Sequence, residues 1–264
     1  MQILGRTQPL AKYPVLEALE ILYDVGFDGV EVCLENDDMA PGTLTAEKIR
    51  TVREKIAELG LQPVSISYHQ DYLYNDEYFE LTKEAIRITP EFGTNLFVFS
   101  GPNSRTRDAR EWDEMVIRTR ALADIAEPAG VLLAEEFEPG FVVGSTAALL
   151  RLFEEVGSPA LAANLDLGHV FLCDPDPEAA IRSVGDRIVH CHIENMATGI
   201  HDHLLPQEGD MDLKHYLNYL NAVEYTGPLS LDLYKYEYEA VAPEAIAYLR
   251  GLLREIGVEA VPED

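Results

Sequence analysis

A single (β/α)8 TIM barrel, α/β in class, is the fold this sequence predicts, and two observations predict it. Short β-rich runs alternate with longer helical segments from end to end, and a glycine stands at the junction between helix and following strand at Gly26, Gly60, Gly93, Gly130, Gly157, Gly185 and Gly227. A residue just past a helix C-terminus commonly adopts positive φ, which glycine does without steric cost. The junctions recur at intervals of 34, 33, 37, 27, 28 and 42 residues, and strand-helix-strand units of that length close as right-handed parallel crossovers. A doubly wound open sheet would place a glycine-rich phosphate loop after its first strand, and none is present.

The elements follow in order. QILGR (2–6) supplies the first strand, and Val15, Leu19 and Leu22 mark one face of the helix behind it. VEVCLE (30–35) is the second, followed by the stripe Ile49, Val52, Ile56 and Leu59. VSISYH (64–69), NLFVFS (95–100), VLLAEE (131–136) and LAANLD (161–166) are the third to sixth, and RIVHCHI (187–193) is the seventh. Leu213, Tyr216, Leu217 and Leu220 then repeat with the helical period, LSLDLY (229–234) closes the set of eight, and Ile246, Leu249, Leu253 and Ile256 mark the last helix. With no linker or low-complexity segment between them, residues 1–264 are expected to form one domain with its active site at the C-terminal ends of the strands.

Composition excludes several classes of function. Against 20 Lys+Arg stand 47 Asp+Glu, a net charge of −27 that repels phosphate backbones and anionic lipid. Charges and turn residues interrupt every apolar run well short of the ~18 residues of a membrane span. Neither nucleic acid nor membrane is therefore an expected partner. Cys33, Cys173 and Cys191 show no paired spacing, and the N-terminal residues lack the pattern of a secretion signal, so a cytoplasmic location is expected.

Strand alternation identifies the chemistry. Alternate residues face the barrel interior and the others face the helices. The apolar sets Leu229, Leu231, Leu233 and Val189, Cys191, Ile193 are assigned outward, which turns Ser230, Asp232, Tyr234, His190 and His192 inward. The same parity places Asn164 and Asp166, then Leu132, Ala134 and Glu136, then Glu31, Cys33 and Glu35, then Ser65, Ser67 and His69 inside. Barrel interiors are ordinarily layered Val, Ile and Leu. Carboxylates and imidazoles there call for a bound cation, without which they would repel one another and suffer desolvation. Six of the seven histidines (His69, His169, His190, His192, His201, His203) fall at or just after strand ends. The longest interval carries the polar loop NMATGIHDHLLPQEGDMD, with His201 and His203 near its centre.

GFDGVEV, Glu136 in AEEFEPG, the Asp-x-x-His of LDLGH (Asp166, His169), HCHIEN and the carboxylate of GPLSLDLY resemble the xylose isomerase-like barrels over essentially the whole chain. That family includes sugar phosphate isomerases and epimerases, ketose 3-epimerases, inosose and dehydroshikimate dehydratases, and endonuclease IV. The resemblance implies one divalent metal held by Glu136, Asp166, His192 and Asp232. It also implies a catalytic carboxylate pair, Glu136 and Asp232, and a substrate contact from His169. The metal would bind the carbonyl and a neighbouring hydroxyl of a ketose and stabilise the enediolate. Two positions depart from the family pattern: Asp232 stands where Glu is usual, and Glu138 where His is common. An oxygen-rich donor set favours Mn²⁺ or Mg²⁺ and tolerates Co²⁺ or Zn²⁺.

The leading expectation is a metal-dependent isomerase or epimerase of a small sugar or keto-polyol. A dehydratase on the same metal site is the first alternative, with Arg105 or Arg107 meeting a substrate anion. An endonuclease IV-like phosphodiesterase draws on His69 and on a second metal at His201 and His203, but it meets Ser100 where a His is needed and a charge that opposes DNA. A non-catalytic sugar-binding protein is the last. Otherwise His69 is expected to face the substrate or to be structural, and His201 and His203 are equally compatible with a second metal or a solvated loop. Glu35 and Tyr234, with Tyr72, Tyr74 and Tyr236, are further candidates to line a sugar site. Self-association into a homo-oligomer stays open.

Overall fold

The computed structural model describes residues 1–258. Eight parallel strands close into a barrel: β1 (Ile3–Arg6), β2 (Gly29–Cys33), β3 (Gln62–Ser67), β4 (Leu96–Ser100), β5 (Leu132–Glu136), β6 (Leu161–Asn164), β7 (Ile188–Ile193) and β10 (Leu229–Leu231), with β10 between β7 and β1. Nine α-helices are described: α1 (Val15–Val25), α2 (Ala46–Leu59), α3 (Asp76–Ile88), α4 (Ala109–Ala129), α5 (Thr146–Val156), α6 (Leu167–Cys173), α7 (Pro177–Val184), α8 (Leu213–Ala222) and α9 (Tyr238–Glu255). None is long and apolar enough to cross a membrane. Their apolar stripes are buried against the outer strand faces, as with Val15, Leu19 and Leu22 of α1 and Leu213, Tyr216, Leu217 and Leu220 of α8.

Six of the seven junction glycines adopt positive φ. Gly227 does not. Helix α8 ends earlier, at Ala222, and Glu224 takes the positive φ of 60° instead. Gly227 answers a steric demand: a Cβ there would lie 2.6 Å from the Tyr225 ring.

The barrel interior is stratified. Leu96, Val98 and Ala134, with Leu132 and Val189, form an apolar plug toward the N-terminal ends of the strands. Val189 was expected outside. The β6–β7 register slips, with Ala163 opposite Ile188 but Asn164 opposite His190, so Val189 is an extra residue and packs inward. Above the plug the lining turns polar: Glu31, Ser65, Asn164, His190 and Ser230 are all buried.

The long polar loop is ordered as an antiparallel hairpin of β8 (Asn195–Ala197) and β9 (Ile200–Leu204). It contacts α6 through both strands. His201 and His203 therefore sit on a strand, with His203 buried.

Candidate active site

Each strand delivers its polar residues upward from the interior to the C-terminal mouth. His190 is buried, with Nδ1 2.9 Å from Asn164 Oδ1 and Nε2 3.1 Å from Ser65 Oγ. Burial pushes its pKa down to about 3. Asn164, so oriented, donates from Nδ2 to Glu136 Oε2 at 2.8 Å. His192 is fixed at both nitrogens: Nε2 lies 3.2 Å from Glu31 Oε2, and Nδ1, 3.2 Å from Asn164 Nδ2, faces the mouth.

Around that Nδ1 the carboxylates converge, with Glu136 Oε2 at 3.1 Å, Asp232 Oδ2 at 3.6 Å and Asp166 Oδ2 at 4.0 Å. Glu136, Asp166 and His192 each offer a donor atom within 4.8 Å of the others, and so do Asp166, Glu194, His203 and Asp232. Of the four residues expected to share a metal, Glu136, Asp166 and His192 fall in one set, while Asp232 falls in the other with Asp166 and approaches the first through its 3.6 Å contact with His192. Asp166 Oδ2 and Glu194 Oε2 are buried without hydrogen-bond partners. A buried carboxylate oxygen with no donor is costly, and a cation shared by these oxygens would remove that cost. The donor set, mainly oxygen with one imidazole, fits a divalent ion.

Asp166 lies two residues past β6, where its Oδ1 caps α6 by accepting from His169 N at 2.7 Å. His169 is accordingly buried in the first turn of α6. Its Nδ1 is 2.9 Å from Phe137 O and 3.3 Å from Glu136 Oε1, and its Nε2 is 2.8 Å from His201 Nε2. His203 Nε2 lies 3.3 Å from the same His201 atom. Gly168 in this turn is obligatory, because its N–H donates to Glu194 Oε1 at 2.9 Å and any side chain would collide with that carboxyl.

The electrostatics follow from crowding. Burial alone would raise the Glu136 carboxyl, but His192 and His169 hold it well below the ordinary range. Burial would lower His169, yet Asp166 and Glu136 raise it to about 9. Glu194 is pushed well up by burial and by Asp166 and Asp232. Burial and repulsion from Glu136 lift Glu138 to about 7.

Two participants, Arg6 and Glu194, escaped the sequence assignment, and a third, Glu31, was placed inside the barrel without a role. Arg6 is fully buried beneath the mouth, with Nε 3.0 Å from Glu31 Oε1 and Nη1 paired to Asp232 Oδ1. Against burial, that guanidinium holds Asp232 low. Glu194 and Glu31 complete the set. Interior parity reaches Glu194 directly from His190 and His192, and a strand ending in Arg with the same parity was the available sign for Arg6.

Other candidates divide. His69, Tyr234, His169, His201 and His203 line one cavity of about 350 Å³ together with Glu136, Glu138 and Asp232. The Tyr234 hydroxyl donates to Asp232 Oδ2 at 3.1 Å. Glu35 accepts from the His69 backbone N–H and does not line that cavity. Neither of the expected anion contacts lines that cavity. Arg105 is paired to Asp71 at 2.9 Å, and Arg107 lines a separate cavity beside Trp112. Tyr72 is buried with its hydroxyl on Thr119 and Glu135, Tyr74 lies under Arg105, and Tyr236 donates to Glu208, so these three rings serve packing and anchoring.

Fold and site together define a (β/α)8 barrel whose C-terminal mouth holds a cluster of carboxylates and imidazoles. The family model for the xylose isomerase-like TIM barrel matches residues 19–252, and the chain belongs to that family. A 3-dehydroshikimate dehydratase of Pseudomonas putida is 27% identical over 238 residues, 85% of this chain, which spans only 36% of that protein's length. A fructoselysine 3-epimerase of Shigella flexneri is 22% identical over 262 residues, covering 92% of this chain and 95% of that one. Among solved structures, an E. coli 3-keto-D-glucoside 4-epimerase superposes with a TM-score of 0.78 at 20% identity, over 95% of this chain and 99% of that one. A D-psicose 3-epimerase superposes with a TM-score of 0.81 at 16% identity, over 96% and 99%. At these identities the structural likenesses establish the fold.

Proposed function

We propose that this protein is a metal-dependent isomerase or epimerase of a small sugar or keto-polyol, moving a proton on the carbon next to a carbonyl. The observation that carries the reading is the convergence of Glu136, Asp166 and Asp232 on His192 Nδ1, with Asp166 Oδ2 buried and unpartnered. These four residues would hold one divalent ion, Mn²⁺ or Mg²⁺ by donor type. When bound, the ion supplies a Lewis acid that polarises the substrate carbonyl and stabilises negative charge developing beside it.

The chain's own residues do the rest. Glu136 is kept ionised by His192 and His169 and takes the proton from carbon. His169 Nδ1, 3.3 Å from Glu136 Oε1, steadies that carboxylate, while its Nε2 faces the hairpin. Asp232 is the second carboxylate at the same imidazole, and Arg6 and Tyr234 fix its orientation. Epimerisation also requires a group that returns a proton on the opposite face, the role assigned to Asp232, which must first take up a proton from solvent against the field of Arg6. Isomerisation requires Glu136 alone. The same site with Glu136 as base could serve a dehydratase, a reading supported by the Pseudomonas relative.

The test is a panel of ketoses and keto-polyols incubated with Mn²⁺ in D₂O and followed by NMR. Deuterium at one carbon beside the carbonyl, with an isomer appearing, is the expected result, and Glu136→Gln lowers incorporation by ~10²-fold or more. Loss of water from the substrate would mark a dehydratase. Product formation without deuterium in any compound would overturn proton transfer.

A further inference from the structure

A second cavity, of about 360 Å³, adjoins the first and shares His69 and Glu138 with it. It extends over the ends of β3 and β4, where Gln70, Ser100 and Asn103 present amide and hydroxyl groups and Phe141 presents a ring. Each cavity alone is at the small end of the ~300–1,000 Å³ range of ligand sites. A monosaccharide engaged at the carboxylate cluster would leave the second cavity free for whatever the sugar carries.

The charges lining the pair are one-sided. The first cavity has Glu136, Glu138, Asp202 and Asp232 against one lysine, Lys235, which is ion-paired to Asp202. The second has Asp71 and Glu138 against one arginine, Arg105. Its guanidinium is bound to Asp71 at 2.9 Å and lies 3.8 Å over the Tyr74 ring. The loop carrying Arg105 is itself pinned, with the Arg105, Thr106 and Arg107 backbone N–H groups donating to Glu111 at 2.6, 2.9 and 3.0 Å. The lysine and the arginine that line the cavities are therefore already neutralised, and His169 is matched by Glu136 at 3.3 Å and Asp166 at 3.7 Å. A phosphate or carboxylate would have to break one of these pairs among like charges, whereas hydroxyls find amide, hydroxyl and carboxylate partners unaided.

We infer that the substrate is an uncharged sugar bearing a neutral, hydroxyl-rich substituent on the end remote from its reacting carbons. The substituent is seated in the cavity between Gln70, Asn103 and Phe141. The inference rests on the isomerase or epimerase reading and narrows it, setting aside phosphorylated and carboxylated substrates.

Three ketoses that differ only at oxygen 6 test it: D-fructose, D-fructose 6-phosphate, and isomaltulose, in which that oxygen carries a neutral glucosyl group. Affinity for the Mn²⁺-loaded protein is measured by calorimetry, and deuterium exchange is followed in parallel. Isomaltulose is expected to bind at least about tenfold more tightly than fructose, and fructose 6-phosphate at least about tenfold more weakly. Asn103→Trp, which fills the second cavity, brings the isomaltulose-to-fructose affinity ratio to about 1. Asp71→Asn, which releases Arg105, narrows the penalty on the phosphate. Equal or tighter binding of fructose 6-phosphate, a ratio unmoved by Asn103→Trp, or no binding of any of the three overturns the inference. If isomaltulose binds as expected but no ketose exchanges deuterium, the functional reading fails while the subsite stands. Exchange on fructose without preference for isomaltulose gives the reverse.

Discussion

Arg6 is the residue whose position most changes how the site works. Its guanidinium is the only arginine or lysine group fully buried among the described residues, and it neutralises Glu31 and Asp232 together. Removing one partner of a buried charge pair typically costs ~3–5 kcal/mol, because the other charge is left uncompensated. Arg6→Met is expected to destabilise the protein by about that amount in EDTA. A divalent ion near Asp232 would replace part of the missing charge, so the gain in melting temperature on adding Mn²⁺ should be larger for the variant than for the wild type. Equal gains would separate Arg6 from the cation site. The interior alternation made His192 and Asp232 legible from sequence, since each sits between apolar neighbours of opposite parity, and Glu136 followed from Leu132 and Ala134 on its own face although Glu135 breaks the pattern beside it. Arg6 was not, because a four-residue strand leaves too few alternations to weigh its last residue.

At the scale of elements, the barrel strands and their glycine junctions were legible because burial on both faces and positive φ each restrict residue choice. The exceptions have local causes. A one-residue bulge at Val189 leaves the surrounding hydrophobic pattern intact, so alternation alone places it wrongly. The hairpin strand IHDHL (Ile200–Leu204) is polar and short, and it is positioned by contacts with α6 that are distant in sequence. The loop between β4 and α4 depends on a residue that composition does not single out. Glu111 accepts from Ser104, Tyr74 and three consecutive backbone N–H groups, and against the cost of burial these bonds hold its pKa near 2. Its folded value lies below the ordinary carboxylate value of about 4.5. The stabilisation it provides is therefore complete above that value and is lost as the pH falls from there toward about 2. Glu111→Gln should cost roughly 1–3 kcal/mol near neutral pH and make the melting temperature less sensitive to acid over that window. A variant with unchanged stability at pH 7 would remove Glu111 from this account.

The molecule as a whole combines a large negative charge with a deep concentration of carboxylates at the barrel mouth. The charge of −27 opposes anionic partners at long range. A divalent cation held by the local cluster would require His192 to give up the proton that its acidic neighbours favour, so uptake should release a proton and weaken as the pH falls. A ligand at 100 times its dissociation constant adds ~2.7 kcal/mol to the folding free energy, so melting should rise with Mn²⁺ and fall with EDTA. The histidine trio His169, His201 and His203 also brings three ring nitrogens within 4.8 Å, and counting bound ions decides whether it shares in metal binding. The most direct measurement is calorimetric titration of metal-free protein with Mn²⁺, on the wild type and on Asp166→Asn. The account predicts one tight ion per chain in the wild type and its loss in the variant. No tight binding, or the same stoichiometry and affinity in Asp166→Asn, would contradict it.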